Sequence, residues 1–151
     1  MTTVIAAVML LMAACQRKPV MAHGQFKHLP PAGWLKTMSL TFNPEFDDST
    51  MTCDLVLAVR HDNRYPFTNL SLVVDIIAAD STVSRHPVDL ALADEYGNWS
   101  GGGFGSLYQD RVTITTGVTQ ADAHAVVVWQ AMADCDTLCG VTDVGLITNP
   151  K

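Results

Sequence analysis

The sequence predicts an all-β domain, an antiparallel β-sandwich of about seven strands that follows an N-terminal lipoprotein signal segment. Two observations predict this fold: apolar residues alternate with polar ones along much of the chain, and no long stretch shows an amphipathic helical stripe. A sheet of short antiparallel strands has one apolar face, which a second sheet can cover. The pattern leaves open whether the connectivity is immunoglobulin-like or jelly-roll-like.

The alternation locates the strands in chain order. The first, at residues 37–42, ends at Asn43 and Pro44, because proline cannot donate a ladder hydrogen bond. The second begins at Cys53, from which every second residue is apolar. Further strands are predicted at residues 70–77, 88–93, 111–115, 125–132 and 141–147. The run at 125–132 is apolar on both faces, which is typical of a central strand, and the last strand gives the weakest pattern.

The N-terminal segment has the form of a bacterial lipoprotein signal. Met1–Ala14 is apolar and contains no charged side chain, and it stops at Cys15, after which the chain becomes polar. A secretory signal has an apolar core of about 7 to 15 residues and small residues before its cleavage point, whereas a membrane-spanning helix needs about 20 apolar residues. The sequence therefore predicts a signal peptide at residues 1–14, a tether at 15–35 that carries lipid on Cys15, and a sandwich domain at 36–151.

Composition limits the partners of this domain. The chain of 151 residues has 9 basic and 15 acidic side chains, a formal net charge of −6. An acidic protein of this kind is not expected to bind nucleic acid, whose phosphates are neutralised by basic groups. The partner that the residues themselves indicate is a membrane, through lipid on Cys15.

Motifs of common active sites are missing from the sequence. There is no phosphate loop, dinucleotide fingerprint, HExxH motif or Gly-x-Ser-x-Gly elbow. The histidines are scattered and are predicted to be surface residues. They are His23, His28, His61, His86 and His124. We therefore expect no catalytic residues, no metal site and no cofactor.

The cysteines suggest one disulfide. If Cys15 carries lipid, then Cys53, Cys135 and Cys139 remain. Disulfides form in the oxidising compartments that exported proteins reach, so one pair and one odd thiol are expected. Cys135 and Cys139 could close a small loop, or either could reach Cys53. Their spacing of three intervening residues is not that of a redox pair or a zinc knuckle.

A glycine-rich loop at residues 94–105 is the candidate contact site for a partner or ligand. It contains five glycines and the aromatic residues Tyr96, Trp99 and Phe104. In one interpretation these rings bind a sugar or a peptide. In the other, which we favour because exposed tryptophan is uncommon, Trp99 and Phe104 fold into the sandwich edge and the glycines serve turns and bulges.

Three stretches, at residues 65–70, 92–105 and 140–146, resemble the GldH family of gliding-motility lipoproteins in their order and motifs. The resemblance covers roughly residues 36–148 and the lipid signal. It implies a small β-sandwich lipoprotein of the outer membrane, associated with gliding and protein secretion, and no known enzymatic activity. The chain departs from the family pattern at Gly102, where lysine is common, and at Ile147-Thr148, which lack a basic residue.

We therefore expect a non-enzymatic accessory or scaffold component of an envelope complex. The alternative is a carbohydrate- or glycopeptide-binding module of a nutrient-uptake system, which needs at least one ring open to solvent. A third class, an envelope hydrolase, would need two titratable groups converging in a cleft. The basic residues Arg17 and Lys18 after the lipid position favour the periplasmic face of the outer membrane over the cell surface.

Overall fold

A computed structural model describes residues 20–151, and the predicted signal peptide and Cys15 lie outside this range. The described chain contains strands and no helices, and every paired strand is antiparallel. It therefore contains no helix long and apolar enough to span a membrane. The predicted all-β antiparallel class is confirmed.

Eleven strands follow one another along the described residues. They are β1 (His23–His28), β2 (Trp34–Leu35), β3 (Leu40–Phe42), β4 (Cys53–Asp62), β5 (Asn69–Ile77), β6 (Val83–Ala91), β7 (Gly102–Phe104), β8 (Leu107–Val118), β9 (Ala125–Gln130), β10 (Thr137–Leu138) and β11 (Val141–Pro150). One sheet has the order β1-β11-β4-β8-β7, and the second has the order β3-β9-β5-β6. A small ribbon pairs β10 with β2.

The core lies between the two sheets and is built from the alternating apolar residues. In β4 the side chains of Leu55, Leu57 and Val59 are completely buried, as the alternation predicts. β9 lies between β3 and β5, which agrees with its apolar character on both faces. Trp34 of β2 is also completely buried, and its indole Nε1 donates a 2.8 Å hydrogen bond to a backbone carbonyl.

The seven predicted strands correspond to β3, β4, β5, β6, β8, β9 and β11, and four further strands are present. Two of these, β1 and β2, fall within the residues assigned to the tether. β1 pairs with β11 along its whole length, so His23–His28 belongs to the larger sheet, while β2 belongs to the small ribbon. β11, which has the weakest pattern, is an interior strand ten residues long.

The two ends of the sandwich have different roles. At one end, which we call the tether end, the chain enters β1 at His23, and His23 pairs with Thr148. At the other end, the distal end, β4 finishes at Asp62 and β11 starts at Val141. β4 joins the two ends, and its ten residues span about 30 Å at ~3.3 Å per residue.

Candidate functional site

The three stretches that carry the family resemblance meet at the distal end. Contacts between backbones connect them: Leu92 N–H donates to Thr68 O at 2.8 Å, and Gly140 lies directly against the backbone of Tyr65. Segments that are far apart in sequence therefore form one structural unit. We take this unit as the candidate functional site.

Gly140 joins two of these stretches and has to be a glycine. Its φ is +88°, a conformation that L side chains rarely adopt. A Cβ at this position would lie 2.5 Å from Tyr65 Cα and 2.8 Å from Arg64 C, both of which are backbone atoms. Tyr65 is itself fixed, because its ring is buried and its hydroxyl donates to Asn69 O at 2.7 Å. Burial raises the pKa of the Tyr65 phenol.

His61 lies at the centre of the unit. The prediction that it is a surface residue is wrong. Its exposed fraction is 0%. Its imidazole lies among three aromatic rings, with centroid distances of 4.6 Å to Trp99, 5.5 Å to Tyr108 and 5.6 Å to Tyr65. His61 follows Val59 at an interval of two along β4, so strand alternation places both side chains on the inward face.

A buried polar pair lies under these rings. The imidazole Nε2 of His61 is 3.5 Å from the carboxylate Oδ2 of Asp110, and neither atom has a hydrogen-bond partner within residues 20–151. Burial raises the pKa of Asp110, although the neighbouring His61 opposes this shift. Two titratable groups therefore converge here, but beneath an aromatic cover rather than in an open cleft.

The glycine-rich loop ends in a tight hairpin between β7 and β8. Phe104 pairs with Leu107 across a two-residue turn. Such a turn needs a positive φ, which glycine adopts readily, and Gly105 has a φ of +64°. Gly103 lies against the Tyr108 ring, where a Cβ would come within 2.9 Å of a ring carbon. The glycines therefore allow the hairpin to pack closely over the aromatic cluster.

The three aromatic residues of the candidate loop have different environments. Trp99 is half-buried against the core, and its indole N–H donates to Asn63 Oδ1 at 3.0 Å, as expected if it folds into the sandwich edge. Phe104 and Tyr96 are instead exposed, by 93% and 82%. The loop thus supplies one structural ring and two rings open to solvent. Contact of Tyr96 and Phe104 with a partner stays a prediction.

An open groove of about 480 Å³ lies beside the hairpin on the outer face of the larger sheet. Its lining residues are Arg60, Gly102, Gly103, Phe104, Leu107, Tyr108 and Gln109. The guanidinium of Arg60 donates through Nε to Gln109 Oε1 at 2.9 Å and lies 4.0 Å from the centroid of the Phe26 ring. No sequence pattern indicates this groove, because its residues come from three different strands.

Cysteine pairing stays a prediction. Cys53, Cys135 and Cys139 are free thiols in the structure, and Cys53 lies at the tether end while the other two lie at the distal end. Burial raises the pKa of Cys53. The described residues contain no group of three or more histidine, cysteine or acidic side chains that could hold a metal ion.

Comparison with known proteins identifies relatives over nearly the whole chain. The family model described as GldH lipoprotein matches residues 22–147. The gliding motility lipoprotein GldH homolog of Christiangramia forsetii is 28% identical over 144 residues, which cover 90% of this chain and 86% of the relative. The gliding motility lipoprotein GldH of Flavobacterium johnsoniae is 27% identical over 148 residues, which cover 94% and 91%.

Solved structures show only a distant likeness. The crystal structure of FLHE has 12% identity and a TM-score of 0.43, with 87% of this chain and 96% of that chain covered. A carbohydrate-binding module specific for non-crystalline cellulose has 13% identity and a TM-score of 0.43, with 85% and 72% covered. Similarities at this level carry no argument about function.

Proposed function

The chain belongs to the GldH lipoprotein family, and from this membership we propose that it is a non-enzymatic accessory or scaffold component of an envelope complex of the gliding and secretion type. It would be anchored by lipid on Cys15 at the periplasmic face of the outer membrane. In this proposal the sandwich presents its distal end to other envelope proteins.

One observation carries the proposal: the family stretches converge at the distal end, away from the membrane anchor. The described chain enters the sheet at His23, at the tether end. Phe104 and Tyr96 project at the distal end, about 30 Å away along β4. A contact surface placed in this way points from the membrane toward neighbouring proteins, not into the lipid.

Lipid on Cys15 would restrict the distance between the domain and the membrane. The eight peptide steps from Cys15 to His23 extend to about 28 Å at most. Each buried methylene of an acyl chain contributes about 0.8 kcal/mol to membrane binding, so several chains hold a protein firmly. Mass spectrometry of the mature protein tests this anchor, because an unmodified thiol at Cys15 would contradict it.

The membrane face can be tested separately. The residues after Cys15 include Arg17 and Lys18 and no acidic cluster, which supports the periplasmic face. Protease treatment of intact cells should therefore leave the protein undigested, while the same treatment of lysed cells should expose it. Digestion in intact cells would contradict the periplasmic assignment.

A non-enzymatic role is supported by the cover over the buried pair. The His61 side chain is completely buried, and the Asp110 side chain is exposed by only 12%. The rings of Trp99 and Tyr108 pack on the imidazole of His61. A substrate would have to displace these two rings before reaching the imidazole of His61.

The decisive experiment is affinity purification from envelopes with a tag after Lys151. Lys151 Nζ lies 3.4 Å from Asp54 Oδ1 at the tether end, so a tag there leaves the distal end free. We expect motility or secretion components to co-purify. A variant combining Tyr96→Ala and Phe104→Ala should lose them, while Val83→Ala, which removes an exposed apolar side chain near the tether end, should retain them.

The alternative is a carbohydrate- or glycopeptide-binding module, and a specific observation favours it: Phe104 offers an open ring beside a groove. Aromatic ring faces are common contact surfaces for sugars, as they are for peptides. Retention of envelope glycans, without motility or secretion components, would support this alternative. Equal recovery of envelope components with the double variant and with unaltered protein would contradict a contact through the distal rings.

A further inference from the structure

We propose that a proton bound between His61 and Asp110 holds the glycine-rich loop closed at the distal end, and that the loop loosens when this proton leaves. The proton is taken up from solvent water at lower pH and returned to it at higher pH. Closure of the loop depends only on the buried pair, whereas its effect on partner binding rests on the proposed function.

Each ring nitrogen of His61 faces an oxygen that accepts hydrogen bonds. Nδ1 lies 3.4 Å from Asp62 O, and Nε2 lies 3.5 Å from Asp110 Oδ2. A neutral imidazole carries one N–H group, so it can donate to only one of these oxygens. One added proton satisfies both contacts, either on the imidazole or on the carboxyl of Asp110, which would then donate to Nε2.

Burial makes the loss of this proton unfavourable. The side chain of His61 is completely buried, and that of Asp110 is exposed by only 12%. A buried carboxylate needs a compensating charge or hydrogen bonds, and within residues 20–151 His61 is the only ion-pair partner of Asp110. Burial raises the pKa of Asp110, which favours retention of a proton by the pair.

Other charged or titratable side chains surround the pair without replacing its proton. They are Asp62, Arg64, Tyr65, Tyr108, Asp89 and Arg111. The guanidinium of Arg64 donates two hydrogen bonds to Asp62. Asp89 and Arg111 line an open pocket of about 210 Å³ beside Asp110 and form no ion pair with it. This pocket gives a proton a route from solvent to the Asp110 carboxyl.

The glycine-rich loop packs directly on both members of the pair. The indole of Trp99 lies 4.6 Å from the imidazole of His61, measured between ring centroids. Gly101 lies against Asp110, because a Cβ at this glycine would come within 2.5 Å of Oδ2. Between them, the hydroxyl of Ser100 lies 3.5 Å from Asp110 Oδ1. Fuller hydration of an ionised Asp110 therefore requires these three consecutive residues to move.

Loosening of these residues would affect the proposed contact surface. Tyr96 and Phe104 lie on either side of them in the loop, and both rings are exposed. A closed loop presents the two rings in one arrangement, and a preorganised surface loses less conformational entropy on binding. We therefore expect the partner to bind more tightly at lower pH, where the pair holds its proton.

Hydrogen exchange followed by mass spectrometry tests closure in the full-length protein in detergent. Exchange of residues 95–104, corrected for the intrinsic pH dependence of the reaction, is compared from about pH 5 to pH 8, the range in which histidine ordinarily changes charge. Protection of the loop should fall about tenfold or more as pH rises, the change expected for loss of one hydrogen bond to a charged group.

Two variants locate the proton. Asp110→Asn places an amide N–H opposite Nε2 at every pH, so the pH dependence of loop protection should disappear. Asp143→Asn is the matched control, because Asp143 lies 3.1 Å from the imidazole of His28 in a more exposed pair on the same sheet. This control should keep the pH dependence of the unaltered protein. Near-ultraviolet circular dichroism checks that each variant is folded.

Fluorine NMR of protein labelled with 5-fluorotryptophan observes the pair more directly. The chain has three tryptophans, and Trp99→Phe identifies the Trp99 resonance. This resonance should shift over the same pH range because the Trp99 ring contacts His61, and the shift should disappear from that range in Asp110→Asn. The resonances of Trp34 and Trp129 serve as internal references.

Three results would overturn the proposal: loop protection that does not change with pH, the same pH dependence in Asp110→Asn, or its loss in Asp143→Asn as well. Equal recovery of envelope components at both ends of the pH range would contradict the effect on partner binding. The proposed function fails in a different way. If the loop responds as expected but no envelope component co-purifies at either pH, the proton-dependent closure is established and the scaffold role is contradicted.

Discussion

Replacing Gly140 with alanine should strongly destabilise the domain, because the change adds two separate energetic penalties. The first is the left-handed backbone at φ +88°, which costs about 1–2 kcal/mol for an L residue. The second is a Cβ placed 2.5 Å from Tyr65 Cα, in a region where the nearby atoms belong to backbone and cannot rotate away. Such overpacking costs about 1–3 kcal/mol.

Two other glycines separate these penalties. Gly97 has a φ of +83° but nothing within 4 Å of its Cβ position, so Gly97→Ala should cost only the backbone penalty, about 1–2 kcal/mol. Gly102 has neither a positive φ nor a neighbour, so Gly102→Ala should change stability by less than about 0.5 kcal/mol. Gly140→Ala should cost about 2–5 kcal/mol in total.

Urea and thermal unfolding followed by circular dichroism measure this series. For a domain of this size, 1 kcal/mol corresponds to a change in melting temperature of about 3–5 °C, so Gly140→Ala should melt roughly 10 °C below the unaltered protein. The reasoning is refuted if Gly140→Ala is no more destabilising than Gly97→Ala. That result would show that the contact with Tyr65 relaxes without energetic consequence.

Further predictions concern buried charge and exposed rings. Arg85→Gln should cost about 2 kcal/mol, because the carboxylate of Asp75, exposed by 8%, loses two hydrogen bonds of 2.7 Å. Since Arg85 lowers the pKa of Asp75, this stabilisation is present above about pH 3.8 and is lost as pH falls through the folded-state pKa. The difference in melting temperature between the unaltered protein and Arg85→Gln should therefore be smaller at pH 3 than at pH 7. Asp110→Asn should raise the melting temperature at pH 7 by about 2–4 °C. Burial raises the pKa of Asp110, so ionisation opposes folding as pH rises from about 3.8 through the folded-state pKa, and the penalty is constant above it. A lower melting temperature of Asp110→Asn than of the unaltered protein at pH 7 would contradict this. Phe104→Ala should shift the melting temperature by less than about 1 °C, and a larger fall would mean that its ring is packed rather than exposed.

Hydrophobic alternation predicted the long strands of the core. It missed the two-residue strands β2 and β10, which are too short to show a period, and the strands β1 and β7. β1 has mainly polar residues and therefore shows no apolar period. The side chain of Gln25, for example, donates a hydrogen bond to the backbone carbonyl of Asn43 and does not enter the core. β7 has two glycines among its three residues and therefore shows no apolar period. β11 gave a weak pattern because Gly145 interrupts it. The ring of Phe26 lies directly against Gly145, so a side chain there would displace the aromatic residue that covers the sheet.

The same alternation contained more information about the site than composition alone suggests. Extending it by one step beyond Val59 places His61 inside, and pairing with Tyr108 then gives a buried aromatic cluster. Alternation cannot place Trp99 or Phe104, because their environments depend on tertiary contacts. Trp99 reaches Asn63, 36 residues away, whereas Phe104 lies beside a turn that directs it outward. A strand pattern can therefore locate a buried polar residue within a regular element, while the positions of residues in a connecting loop depend on the structure around them.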